Sequence, residues 1–469
     1  MATVTPLNWN LTKSDLDGKV LILGDSQTTF SSIRWGGYLA QTADEFSRDL
    51  MGVQVIPAST AFSSMGLENV LGDGTATPLP SGVTYGEPAS TNGGTAWQAE
   101  NDPNMHIYRD GEFRFAGNTA NFEDLLDVIV DTNNYPGLDA SGPMCFTVLT
   151  HNPATGVERI NLQEARGSSL PPVFGNTGNY GNGGSGTHIA GELSWDETGD
   201  AYFIRKGIRG NDSWPQGSRY LGGRIQTSGT DETATQFRIL STIVHKSGGT
   251  DAAPTSSIDQ PGALYFIEGF SGWSAYDHLN SVDNEAFDVV VRAVDGFDVV
   301  LICLGHNSED SGTYTANMSA LADRVIARHT AEGKAAPKVV YVAQWAFGDA
   351  AARSRMATQA TDLFNLAYTK GRGFVNRYLE YGETDPATHG ERFDGTATTY
   401  NMDTGSNAGL HPTDSITAQN IARDLAEHFE DGNRVTVLMV TGGNQSRIHN
   451  GVVQKSAAST NRVNNGIVR

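Results

Sequence analysis

The apolar positions change rhythm along the chain. Residues 19–23, Lys-Val-Leu-Ile-Leu, are a lysine followed by four consecutive apolar residues, which fits a short strand buried on both faces of a parallel sheet. Across residues 34–51, Trp35, Leu39, Phe46 and Leu50 fall near one helical face, so a helix is predicted there, stopped by Gly52. Residues 53–56 read as the next strand. From about residue 59 to 260 the texture turns to Gly, Thr, Ser and Asn with recurrent Pro. Short alternating segments appear between turn clusters, such as Tyr202-Phe-Ile-Arg and residues 237–244, and this predicts strands joined by long loops. After Gly262 strands are predicted at 264–267, 298–304 and 338–343, and helices at 284–294, 314–329 and 353–370. A last helix, 414–429, is expected to carry Ile416, Ile421, Leu425 and Phe429 on its buried side.

Strands alternating with helices imply an α/β fold, a doubly wound parallel sheet flanked by helices. The simplest organisation splits that unit into residues 1–58 and 262–432, interrupted by a large β-rich inserted domain, residues 59–261. The insertion leaves from the carboxyl ends of the strands, where ligand sites of such sheets lie. Its removal is therefore expected to leave the α/β unit and its own site partly intact. Residues 433–469 form a separate tail. Within it Arg447-Ile-His-Asn-Gly-Val-Val is echoed by Arg462-Val-Asn-Asn-Gly-Ile-Val, and Asn-Gly between β-branched residues predicts hairpins suited to docking or oligomerisation.

Charge narrows the partners. With 53 acidic against 32 basic residues the formal charge is −21, and no basic run offsets it, so no nucleic-acid partner is expected. Only Cys145 and Cys303 occur, which implies no disulfide framework. The first ten residues lack a basic region followed by an apolar stretch, and the apolar run at 299–304 is too short to span a bilayer. A soluble chain without signal peptide or membrane anchor is expected.

The chemistry sits at predicted element ends. Leu23-Gly-Asp-Ser26 puts a serine directly after a buried strand, where its hydroxyl faces the sheet edge; a serine there is otherwise most often a helix N-cap. Glu268-Gly-Phe-Ser-Gly272-Trp273, Leu304-Gly-His-Asn307 and Gly409-Leu-His411-Pro412 follow, each with a bland reading as a turn, a strand end or a helix start. In order and context the four blocks resemble those of the SGNH (GDSL-like) hydrolase family, over the α/β part only. The resemblance implies Ser26 as nucleophile and His411 as general base. It also implies an oxyanion hole built from the backbone N–H groups of Ser26 and Gly272 and the side-chain amide of Asn307. Such chemistry needs an imidazole to take the serine proton and preset donors for the oxyanion, with glycine where a backbone N–H approaches substrate. Asp25, Trp273 and His306 are expected to line the substrate pocket.

One position departs from the family pattern: the residue three before the histidine is Ala408, and Asn407 carries no charge. Either another acid orients His411, with Asp403 favoured over Asp414, or a Ser–His dyad operates, or the site no longer turns over. The Glu-Gly-x-Ser-Gly-Trp turn is similar to that of carbohydrate esterases, which implies O-acetyl groups on a sugar or surface polysaccharide as substrate. Trp97, Trp195, Trp214, Tyr180, Tyr202 and Tyr220 supply rings suited to stacking on sugar faces. An unsignalled chain acting on an external glycan suggests a bacteriophage virion protein, with tail proteins and a second copy of the chain as partners. The alternative is an inactive glycan-binding or structural virion protein on the same scaffold. No metal-ligand spacing is present, and neither metal nor cofactor is expected.

Overall fold

The computed structural model describes residues 11–28, 34–57, 83–86, 98–100, 112–114, 124–138, 142, 144–152, 157–168, 173–174, 194–198, 201–209, 219–227, 236–250, 253–255, 258, 260–270, 272–307, 311–345, 347, 350–378, 401–403, 409–430, 437–441, 444–449 and 452–455. Strand β1, Lys19–Gly24, is buried from Val20 onward because it is paired on both sides. It runs parallel to β2, Leu264–Gly269, and to β3, Val299–Cys303; Lys338–Ala343 (β4) and Gly373–Asn376 (β5) complete a five-stranded sheet in the order β2-β1-β3-β4-β5. Helices α1 (Ala275–Ser281), α2 (Asn284–Ala293), α3 (Ser311–Ala331), α4 (Ala350–Lys370) and α5 (Ser415–Glu430) accompany it, so the fold is mixed α/β with a parallel sheet. In α5 the buried residues Ala418, Ile421, Ala422, Leu425, Ala426 and Phe429 recur at three- and four-residue spacing, as one helix face requires. Ile416 does not share that face. It is exposed, one residue into the helix and ahead of the first turn that reaches the core.

Two predicted elements are built differently. Residues 34–51 form two short 3₁₀ segments, Trp35–Tyr38 and Gln41–Phe46, rather than one helix. Gly36 and Gly37 are poor helix formers at ~1 kcal/mol each relative to Ala. A Cβ on Gly36 would strike the backbone oxygen of Thr28, so close contact with the turn after β1 decides this geometry. The strand Gly52–Pro57 exists, but it pairs antiparallel with Gln236–Lys246 instead of joining the parallel sheet. On its way it seals the outer edge of β2: Met51 N–H donates to Ala263 O at 2.9 Å, and Gln54 accepts from Ile267 N–H at 2.6 Å.

Residues between Gly52 and Lys246 contribute two antiparallel sheets. One orders Ser194–Thr198, Val157–Gly167, Tyr220–Thr227, Asp124–Asp131 and Val83–Gly86; the other orders Ala201–Arg209, Met144–Asn152, Gln236–Lys246, Glu112–Arg114 and Gln98–Glu100, with Gly52–Pro57 beside Gln236–Lys246. The sheets face each other, and a Cβ on Gly223 would run into the Phe146 ring. Every residue of Met144–Asn152 is buried. Alternate side chains point to opposite faces of a strand, so both faces must be covered. The first sheet covers one, and α2 packs on the other. Phe146, Val148 and Val244 thus share one continuous core with Val20, Leu264 and Val290.

Further on, Asn444–His449 and Val452–Lys455 pair antiparallel, with His449 opposite Val452; Asn450 and Gly451 lie outside the described residues. The second Asn-Gly copy lies outside the described residues. Among the described residues no helix is long and apolar enough to cross a membrane.

The shared core changes what excision should do. Deleting residues 60–260 would bare α2 and the partner face of Gly52–Pro57. We expect loss of a cooperative thermal transition and of activity on small and polymeric esters alike; a truncated chain that melts cooperatively and cleaves a small ester would contradict this packing.

Candidate active site

Because Gly24 lies opposite both Gly269 and Cys303, three strands end level and their following segments emerge at one sheet edge. This edge, where the strand order reverses between β1 and β3, is where open α/β sheets place ligand sites. After β1 the chain turns at once. Thr28 N–H and Oγ1 both donate to Asp25 O, at 3.0 and 2.9 Å, and Gln27 N–H donates to Asp25 Oδ1 at 3.0 Å. Gly24 must lack a Cβ, which would collide with the Thr28 side chain. Its carbonyl is held by Phe270 N–H at 3.1 Å and His278 Nε2 at 3.0 Å. Residues 29–33, between the serine turn and the helix expected over 34–51, lie outside the described residues.

Ser26, 8% exposed, stands 2.8 Å from His411 Nε2 through its Oγ. The other ring nitrogen, Nδ1, lies 2.8 Å from Asp403 Oδ2. A carboxylate only accepts, so Nδ1 carries the proton and Nε2 is left to accept from the serine hydroxyl. A short antiparallel pairing brings acid and base face to face. Met402 bridges Pro412, Asp403 N–H donates to His411 O at 2.8 Å, and Gly409 N–H donates to Asp403 O at 2.9 Å. Asp414 is elsewhere: it caps α5, accepting from Thr417 N–H at 2.7 Å, and also accepts from the Asn401 amide. Ala408 and Asn407 fall outside the described residues.

The oxyanion candidates share a neighbourhood. Gly272 is exposed with φ +81°, and the Asn307 amide donates to Trp273 O at 3.3 Å, tying the two loops together. A Cβ at Gly272 would meet open space, so its left-handed backbone, and not crowding, is what demands glycine. The expected pocket-lining residues are placed differently. Asp25, Trp273 and His306 are all buried, at 0, 4 and 4% exposure, and behave as supports. Trp273 stacks on Phe270 with centroids 4.0 Å apart. His306 donates from Nε2 to Trp345 O at 3.0 Å and packs edge-on against Trp345 and Phe347.

Burial dominates the electrostatics. It pushes Asp25 up to about 7, against the opposing pull of backbone N–H groups of Gln27 and His306. It pulls His306 down to about 3, so the 3.9 Å approach of His306 Nδ1 to Asp25 Oδ2 is not an ion pair: the imidazole is neutral. His411 is held below its ordinary 6.5, first by burial and then by the nearby Arg34 guanidinium, with Asp403 pulling the other way. Arg34 donates to Pro412 O at 3.2 Å. Sequence reasoning missed Arg34, Gln27, whose amide donates to Leu410 O, and Trp345, whose indole N–H donates to Gly409 O at 2.9 Å. Trp345 follows the carboxyl end of β4, and that position alone marks it for attention.

No protein-family model matches the chain, and no curated protein matches it in sequence. Among solved structures it is similar to Est24, a carbohydrate acetylesterase from Sinorhizobium meliloti, at 16% identity over 35% of this chain and 77% of that one, with TM-score 0.26. An inhibitor-bound aryl esterase from M. smegmatis matches at 16% identity, covering 35% of this chain and 77% of that chain, TM-score 0.26. The psychrotrophic esterase EstA from Pseudoalteromonas sp. matches at 14% identity, 34% and 73% coverage, TM-score 0.24.

Two outcomes follow from this geometry. Asp403→Asn should lower turnover by orders of magnitude, by leaving the wrong tautomer, on the scale of the ~10⁴-fold loss known for an Asp-to-Asn change in a serine protease triad. Asp414→Asn should stay within a few-fold and weaken stability instead; steady-state kinetics and thermal melts on both variants check this. For pH, a base whose pKa is lowered stays neutral to lower pH, so kcat/KM should fall only as pH drops below the ordinary histidine range. Arg34→Met removes a charge that disfavours imidazolium and should move that acid limb to higher pH. An unmoved limb would show that Arg34 does not act on His411.

Proposed function

We propose that the chain is a serine ester hydrolase. The carrying observation is the hydrogen-bonded series in which Ser26 Oγ and His411 Nε2 lie 2.8 Å apart and His411 Nδ1 and Asp403 Oδ2 lie 2.8 Å apart. In this reading Ser26 attacks the ester carbonyl as His411 Nε2 takes its proton, and Asp403 stabilises the imidazolium. Ser26 N–H, Gly272 N–H and the Asn307 amide receive the oxyanion, each donor worth ~2.7–4 kcal/mol of barrier. His411 then returns the proton to the leaving alcohol, and a water activated by the same imidazole releases the acid. The one sequence ground for an inactive scaffold was the missing acid at 408, and Asp403 in contact with Nδ1 offers an acid in its place, which favours the active reading.

The proposed substrate is an O-acetyl group on a carbohydrate, on the strength of the Glu268–Trp273 turn and the tyrosines of the antiparallel sheets, Tyr202 in Ala201–Arg209 and Tyr220 at the start of Tyr220–Thr227. Tyr202 packs tilted against His151 with centroids 4.3 Å apart, and Arg219 lies 5.0 Å over Tyr220; both tyrosines remain partly exposed. Trp97, Trp214 and Tyr180 lie outside the described residues. On the sequence grounds above, the reading extends to a surface polysaccharide met by a phage-borne chain.

A chromogenic acetyl ester tests the reaction class. Wild type should turn it over, and Ser26→Ala should lose at least about 10³-fold. Equal hydrolysis by both proteins would remove Ser26 from the chemistry.

A further inference from the structure

The segment carrying His411 is held at every backbone oxygen from 409 to 412, each from a different part of the chain. Gly409 O accepts from the Trp345 indole at 2.9 Å, Leu410 O from the Gln27 amide, His411 O from Asp403 N–H at 2.8 Å, and Pro412 O from Arg34 at 3.2 Å. Gln27 differs from the other donors in one respect. Its chain neighbour is the nucleophile, and the neighbour of its acceptor is the base. Two rungs therefore join the same two segments, Ser26 to His411 and Gln27 to Leu410.

We propose that Gln27 is a positioning residue that fixes Ser26 and His411 at reacting distance, acting through Leu410 O. The inference rests on the esterase reading above and deepens it. The second rung does not depend on where the reacting proton is, so it holds the base in place while Nε2 gains and returns that proton. Gln27 is itself anchored: it is fully buried, its N–H is taken by Asp25 Oδ1 at 3.0 Å, and Asp25 is sealed from solvent.

A second observation separates a positioning role from ordinary packing. Gln27 Oε1 is buried and has no hydrogen-bond partner among the described residues. A buried orphan acceptor destabilises a fold, and an apolar side chain of the same size would remove that penalty. Packing therefore gives no reason for an amide here. The donor Nε2, aimed at the backbone of the base, does.

The test is Gln27→Met, which keeps the volume and removes both donor and orphan acceptor, with Gln27→Leu as a second variant that likewise cannot donate. Kinetics on a small acetyl ester come with thermal melts. For Gln27→Met kcat should fall on the order of 10²-fold, the scale of a 1 Å misplacement, with KM within a few-fold and melting temperature unchanged or raised. Gln27→Leu should lose kcat as well. On a His411→Ala background, where residual hydrolysis comes from the oxyanion hole and binding, Gln27→Met should cost less than twofold more. A kcat within threefold of wild type for Gln27→Met, or a full additional loss on the His411→Ala background, would overturn the proposal. Wild type and Ser26→Ala are run alongside. If those two do not differ, the esterase reading has failed and the inference with it; if they differ but Gln27→Met is silent, the inference alone has failed.

Discussion

The site depends on β1 being hydrogen-bonded on both sides. A strand sealed from water must pair all its backbone donors and acceptors, and β1 does so against β2 and β3 in a register that ends level at Gly24, Gly269 and Cys303. That register decides which residues meet. Asp25-Ser26 leaves the middle strand, Phe270 and Gly272 follow one neighbour, and Leu304 to Asn307 the other, so Ser26 and two groups of N–H donors share an edge before any side chain is considered. The fourth component, the short pairing of residues 401–403 with 411–413, arrives from beyond the sheet and brings acid and base together.

Beneath that edge the protein uses polar groups as fixed supports. Asp25, His278 and His306 are buried, and burial favours the neutral form of each. Neutral buried groups hold geometry without the desolvation penalty of a charge. The His411–Asp403 pair sits nearer the surface, with side-chain exposures of 19 and 30%. In the proposed reaction charge would develop where water can still screen it, while rigidity is kept where water cannot reach.

Much of this was legible in the chain. Unbroken apolar runs at β1, β3 and β4 gave their length away, and the order of the serine, glycine, asparagine and histidine blocks pointed to segments that do meet at one edge. Asp403 could be preferred to Asp414 because Asp414 stood where a helix cap was needed. What stayed illegible was pairing and depth. The segment Val53-Gln-Val-Ile56 says strand but not which partner, and the partner, Gln236–Lys246, lies far along the chain. The periodicity of 34–51 was sound in placing Trp35 and Leu39 inside, yet Gly36 lies against Thr28 and the helix breaks. Asp25, Trp273 and His306 were read as pocket wall because motifs report proximity to a site, not the direction of a side chain. Gln27 gave no signal because its partner is a backbone oxygen, which every residue carries.

The central claim is that Ser26 is a nucleophile activated by His411. The most direct measurement is covalent capture with an alkyl phosphonate ester, read by intact and peptide mass. The account predicts a single phosphonyl group on the peptide containing Ser26, formed by the folded protein and largely lost in His411→Ala. A folded wild-type chain that takes no label, or takes it at another residue with Ser26 unmodified, would contradict it.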